Sequence, residues 1–201
     1  MPAAGDVLGS ASAPERAPPG RTVIETASLR LAALNVVGGV LVLVSYVFAF
    51  GFAPEVRGAL WGGVPESWRP VYTVNMLLAA AGYFPFTWLF VLRTRPAELL
   101  AATGVPYAGL GLLYGLVLIP SALWLPLTAQ MLADPSPGRW IAVRATLFAV
   151  ALGATGLLWL ALRLARARGG AARWAAFAGT LPFFTQTAIL DALVWPAWFP
   201  H

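Results

Sequence analysis

Five apolar runs, each long enough to cross a bilayer, take up most of the chain. A spanning helix needs about 20 residues, and the runs fall near 28–52, 70–92, 104–127, 139–163 and 173–196. Hydrocarbon holds no water to satisfy exposed backbone groups, so each run is expected to be helical. The chain therefore reads as an all-α integral membrane protein: a five-transmembrane-helix bundle over 28–201, behind a disordered N-terminal tail over 1–27. The tail opens MPAAGDVLGSASAPERAPPGRT, which is too poor in apolar surface to fold. A signal peptide would place a short apolar core near the start, whereas the first apolar run here begins only near Ser28. Pro85, Pro120 and Pro182 mark expected kinks.

Composition agrees with a lipid environment. The chain is 59% hydrophobic and 10% charged, with mean hydropathy +0.75; a soluble domain carries about 25% charged residues. The 13 basic residues are all Arg. They fall between the apolar runs, where orientation signals belong, so the pI near 10.4 is not read as nucleic-acid binding. The absence of Cys excludes disulfides, thiolate-ligated metals and cysteine catalysis. The one His is His201, so an internal His-ligated haem, zinc site or His-based triad is excluded within one chain.

The Arg distribution gives an orientation. Arg16, Arg21, Arg30, Arg93, Arg95, Arg163, Arg166, Arg168 and Arg173 share one side, against Arg57, Arg69, Arg139 and Arg144 on the other. The positive-inside rule then places the N-terminus in the cytoplasm, with a bacterial inner (plasma) membrane as the expected location.

Ionisable groups inside a span are costly and point to function by default. Asp191 lies in the last run, about five residues before its outer end, and Arg144 lies about five residues after the outer start of the fourth. Antiparallel neighbours would bring them to one depth, so an Asp191–Arg144 contact, direct or through water, is expected. It reads as a charged floor for a cavity, a proton or ion relay, or a structural ion pair; the alternative is that both side chains snorkel to the interface. Thr73, Asn75, Thr128, Gln130 and Gln186 sit near the same level and suggest a hydrated cavity, while Asn35 stands apart near the inner end. GLLYG (Gly111 to Gly115) has the spacing that lets helices approach closely.

The aromatic load is 9 Trp, 5 Tyr and 11 Phe. Trp140, Trp174, Trp195 and Trp198 fall at span ends and read as an interfacial belt. Trp61, Trp68, Tyr72, Tyr83, Trp88 and Trp124 lie on the first loop and the second and third runs, where they are expected to line a pocket for a flat apolar ligand. The first loop, residues 53–69, reads either as a lid on the bundle or as an interfacial loop anchored by its aromatics.

Three stretches carry a family resemblance: PESWRPVYTVNMLLAAAG, ALWLPL and LPFFTQTAILDALVW. Their order, the helix count and the long first loop resemble the tryptophan-rich sensory protein/translocator protein family. Pro70, Val71, Thr73, Leu77 and Leu78 fall in register with its second helix, as do Leu181, Pro182 and Phe183 with its last. The chain departs from the family at Asp191, where the family has Asn, and at Thr185 and Gln186, where it has aromatics. The Arg count also opposes the family's usual orientation. The resemblance implies a homodimer-forming bundle that binds porphyrins or sterol-like lipids under the first loop. Trp61, Trp68, Tyr72 and Trp124 would touch the ligand, with Asp191 near it. A bound tetrapyrrole would be held without His ligation.

Three functions stay open. The first is a membrane-embedded binding protein, a sensor or carrier for a hydrophobic small molecule, with Asn75, Arg144, Gln186 and Asp191 joining the aromatics at the site. The second is a non-catalytic structural subunit of a larger membrane complex. The third is a proton- or ion-coupled transporter. The sequence offers no nucleophile–base pair or metal cluster, so an enzyme is not expected.

Overall fold

Every regular element among the described residues is helical. A computed structural model describes residues 19–52 and 54–199, with side chains from 26 to 51 and from 57 to 199. The elements are α1 (Pro19–Phe52), α2 (Pro54–Ala59), α3 (Arg69–Trp88), α4 (Pro96–Thr103), α5 (Tyr107–Ala133), α6 (Pro137–Arg168), α7 (Ala171–Phe184) and α8 (Trp195–Trp198). Wide, π-type turns extend α3 through Leu89–Arg93 and join α7 to α8 through Thr185–Val194. Five of these helical stretches are long and apolar enough to cross a membrane.

The spans differ from expectation at their edges. α1 begins at Pro19, so residues 19–27 are helix; the tail over 1–18 lies outside the described residues. Proline opens a helix readily because its missing N–H has no partner there anyway. At 1.5 Å per residue the 34 residues of α1 run about 51 Å, well beyond the hydrocarbon thickness. The third span is shifted: α5 starts at Tyr107 and ends at Ala133, which places Thr128 and Gln130 inside the helix. The connection before it carries the short helix α4, closed by Gly104 at φ 76°. Gly169 (φ 64°) and Gly170 (φ 89°) turn α6 sharply into α7. At the start of α6, Ser136 accepts from the backbone N–H of Arg139 at 3.3 Å, with Pro137 following as first helical residue.

Neighbours in space follow a simple order. α1 packs on α5, α5 on α6, α6 on α7, and α7 on α3. One end of the bundle holds α4 and the α6–α7 link and is rich in Arg; the other holds residues 54–68 and α8. Between helices in lipid there is no hydrophobic driving force, so close packing must hold them. At the α3–α7 crossing, Gly82 and Gly179 let the backbones touch: a Cβ on Gly179 would lie 2.7 Å from the Gly82 carbonyl oxygen and 3.1 Å from Pro85. Gly111 and Gly115 of the GLLYG motif meet no neighbouring side chain, so the close approach is made elsewhere.

Pro85 and Pro182 flank that crossing and are followed by the wide turns. A proline in a helix interior removes one i→i−4 bond and crowds the preceding turn. Pro120 and Pro126, in contrast, lie within an uninterrupted α5. The buried residues divide by depth. Phe86, Phe90, Leu110, Tyr114, Leu157 and Leu160 belong to a core toward the Arg-rich end. Val64, Tyr72, Val143, Leu147, Trp195 and Phe199 belong to one toward the loop end. Val36, Leu43, Leu77, Phe84, Leu112, Ile141 and Leu152 form an exposed apolar outer surface, as lipid requires.

Candidate functional site

The wide turns of Thr185–Val194 decide what Asp191 faces. In an α-helix, residues five apart point roughly 140° away from each other. A π-type turn bonds i to i+5 and brings such residues onto one side. Gln186 Nε2 accordingly donates to Asp191 Oδ1 at 2.8 Å. Gln186 Oε1 accepts from Asn75 Nδ2 of α3 at 3.0 Å, and the same amide donates to the Pro182 carbonyl at 3.1 Å. One turn earlier on α3, the Tyr72 hydroxyl donates to the Leu190 carbonyl at 3.1 Å. Tyr46 of α1 and Tyr72 both lie within electrostatic reach of the half-buried carboxylate. Asn75, Gln186 and Asp191 thus form one polar chain joining α3 to the last span.

A direct Asp191–Arg144 ion pair is not formed among the described residues. Asp191 takes part in no ion pair among the described residues. Arg144 lies along its own helix, its guanidinium carbon 5.4 Å from the centre of the Phe148 ring. Shared depth was the basis of that expectation, and the wide turns set the azimuth, which directs Asp191 to an amide on its own helix. The ion pairs that do form are near the bundle ends: Arg69 with Glu66, Arg139 with Asp134 and Arg173 with Glu98.

The first loop folds back over the C-terminal end of the last span. Gly63 N–H donates to the Trp198 carbonyl at 2.7 Å, and Trp195 Nε1 donates to the Leu60 carbonyl at 2.7 Å. Gly62 holds φ +52°, and any side chain at Gly63 would collide with the Trp198 carbonyl. Val64 is buried beneath the loop, and Trp61 meets Tyr72 edge-on with centroids 6.2 Å apart. Arg69 lies 5.6 Å from the Trp61 ring centre. Beside this contact Trp124 and Trp140 pack on Trp195 at 5.9 and 6.0 Å, and Trp140 stacks on Phe199 at 5.5 Å. The Trp124 indole N–H is buried and has no hydrogen-bond partner among the described residues.

These positions sort the candidate residues. Trp61, Tyr72 and Trp124 lie in the core at the loop end, and Asn75, Gln186 and Asp191 in the polar chain. Trp68 and Trp88 are instead exposed, and Trp88 carries the Arg93 guanidinium over its ring at 4.7 Å. Tyr83 belongs to the other core, where its hydroxyl donates to Asn35 Oδ1 at 2.6 Å; Asn35 is therefore engaged, though apart from Asp191. Two residues read as belt are internal: Trp195 is buried and Trp140 packs against it, while Trp174 and Trp198 face outward. Tyr46 and the Pro182 carbonyl escaped notice, and the spacing of Pro182, Gln186 and Asp191 is the signal that would have found the wide turns.

An apolar hollow of about 410 Å³ opens on the outer surface of α3, lined by Pro70, Val71, Val74, Asn75 and Leu78. Asn75 is its one hydrogen-bonding side chain. Among the described residues no group of three or more His, Cys, Asp or Glu is placed to hold a metal ion. Comparisons with family models, curated proteins and solved structures find no match.

Proposed function

We propose that the chain is a membrane-embedded binding protein, a sensor or carrier, for a hydrophobic small molecule that reaches it from the lipid. The observation that carries this reading is the hollow on α3. It is a shallow hollow of about 410 Å³, open to the lipid-facing surface of α3. Its walls are aliphatic, and its one polar group, Asn75, is tied to Gln186 and through it to Asp191. An apolar wall with few convergent polar groups is the ordinary make-up of such a site.

The polar chain also favours a class of ligand. Asn75 is the one polar side chain at the hollow and its amide nitrogen already donates to Gln186 and the Pro182 carbonyl, so its oxygen suits a ligand bearing a hydroxyl or N–H donor better than one bearing a carboxylate. A sterol-like lipid fits on that ground. A porphyrin would have to stack on the hollow's rim and keep its acidic groups away from Asp191. The cytoplasmic side is assigned to the Arg-rich end by the positive-inside rule, which puts the hollow and the loop toward the opposite leaflet.

Fluorescence of the purified protein tests the reading, because Trp61 and Trp68 lie close in sequence to the hollow. Saturable quenching by porphyrins or by a quencher-bearing sterol-like lipid is expected. Val74→Phe should weaken it, since Val74 is exposed and its replacement fills the hollow while leaving the core untouched. Linear, non-saturable quenching that Val74→Phe leaves unchanged would sink the proposal.

A further inference from the structure

The Arg-rich end holds a second hollow, also of about 410 Å³, lined by Arg95, Ala97, Glu98, Arg168 and Arg173. Three separate elements supply its three guanidinium groups: Arg95 precedes α4, Arg168 ends α6 and Arg173 lies in the first turn of α7. Glu98 neutralises one of them, accepting from Arg173 Nη2 at 2.7 Å. Arg95 and Arg168 are exposed and have no ionic partner among the described residues. The hollow therefore carries two uncompensated positive charges.

Backbone groups add to this. Ala97 and Glu98, in the first turn of α4, form part of the wall, and neither α4 nor α7 has a side-chain cap at its start. First-turn N–H groups have no intrahelical acceptor, and the helix dipole favours an anion there. Arg173 Nε is itself buried with no acceptor among the described residues. Depth points the same way. Trp88, Trp159 and Trp174 are exposed near this end, and the first two lie under Arg93 and Arg163 at 4.7 and 5.8 Å. Exposed Trp marks the level of lipid headgroups.

We infer that this hollow binds a phosphate group, held by Arg95 and Arg168 with the first turn of α4. Guanidinium binds phosphate oxygens in pairs, and basic pockets between spans suit anionic headgroups. The group is carried either by an anionic lipid or by free phosphate, and the two are separable by experiment.

The full-length protein is placed in phosphatidylcholine nanodiscs with and without phosphatidylglycerol. Native mass spectrometry reads retained phosphatidylglycerol, and calorimetry in pure phosphatidylcholine discs reads inorganic phosphate at constant ionic strength. Retained phosphatidylglycerol with no phosphate heat supports a lipid headgroup as the source; phosphate heat supports the free ion. In either arm R95Q/R168Q should weaken binding roughly tenfold or more, as loss of charge-assisted bonds implies. R57Q/R139Q removes the same charge from the opposite end and should leave binding unchanged. Both substituted sites of the first variant are exposed and the Arg173–Glu98 pair stays intact, so unaltered helical circular dichroism is expected. Absence of binding in both arms, or equal loss in both double variants, overturns the inference.

Discussion

Gln186 and Asp191 are hydrogen-bonded at 2.8 Å across five residues of one helix, a separation that ordinary α-helical turns would spread to different faces. The partner of the charged residue is thus an amide from its own helix. Gln186 in turn is fixed by Asn75 from α3. The three side chains act as a unit, and a unit has a measurable signature. Gln186→Leu leaves Asp191 with no donor and should cost about 1–3 kcal/mol. Gln186→Leu with Asp191→Leu should cost less than the two single changes added together, because the second removes the group the first left unsatisfied. Thermal unfolding in a fixed detergent reads all three; strict additivity would show that the two residues do not work together.

Arg144 offers the converse test. Its guanidinium lies over Phe148 and pairs with no carboxylate among the described residues. Arg144→Met should therefore behave independently of Asp191→Asn, with a coupling below about 0.5 kcal/mol. A coupling several times larger would restore the ion pair that depth alone suggests.

Those two residues show where sequence reading stops. Hydropathy measures length against lipid thickness, so five spans could be read from it directly, and so could the depth of Asp191. Azimuth requires a known number of residues per turn. The wide turns after Pro182 change that number, so Gln186 and Asp191 meet and Arg144 is bypassed. The aromatic reading was limited in the same way: Trp195 stands at a span end, where belts lie, yet the loop covers it and its N–H bonds Leu60. Trp68 and Trp88, chosen by position, are exposed instead of lining a pocket. The site residues that did come together, Trp61, Tyr72, Asn75, Trp124, Gln186 and Asp191, lie toward the loop end of the bundle.

The two buried indoles give a contrast in sign. Trp195 Nε1 bonds a carbonyl of the covering loop at 2.7 Å, whereas the Trp124 N–H has no partner among the described residues. Trp195→Phe leaves the Leu60 carbonyl without its donor and should cost about 1–3 kcal/mol. It should also speed amide exchange in residues 57–64. Trp124→Phe removes an unsatisfied donor along with some ring area, so the two effects oppose and the net change should stay within about 1 kcal/mol. Hydrogen exchange with mass spectrometry, beside thermal unfolding, separates them; an equal response at both positions would contradict the assigned partners.

The α3–α7 crossing carries the last expectation. Gly82 and Gly179 bring two backbones together where no hydrophobic force between helices exists, so the contact depends on fit alone. A Cβ at Gly179 would stand 2.7 Å from the Gly82 carbonyl oxygen, closer than a carbon and an oxygen can approach without something moving. Backbone yields less than a side-chain tip, so Gly179→Ala should cost about 1–3 kcal/mol, the range for an overpacked interior. The same replacement at Gly111 meets open space and should change stability by about 0.5 kcal/mol or less. Forcing α3 from α7 also separates Asn75 from Gln186, since the two span that interface. Gly179→Ala should therefore weaken ligand quenching as well as stability, and Gly111→Ala should alter neither. If Gly111→Ala proved the more disruptive, the close approach in the membrane would run through α5, and the polar chain between α3 and α7 would lose its support.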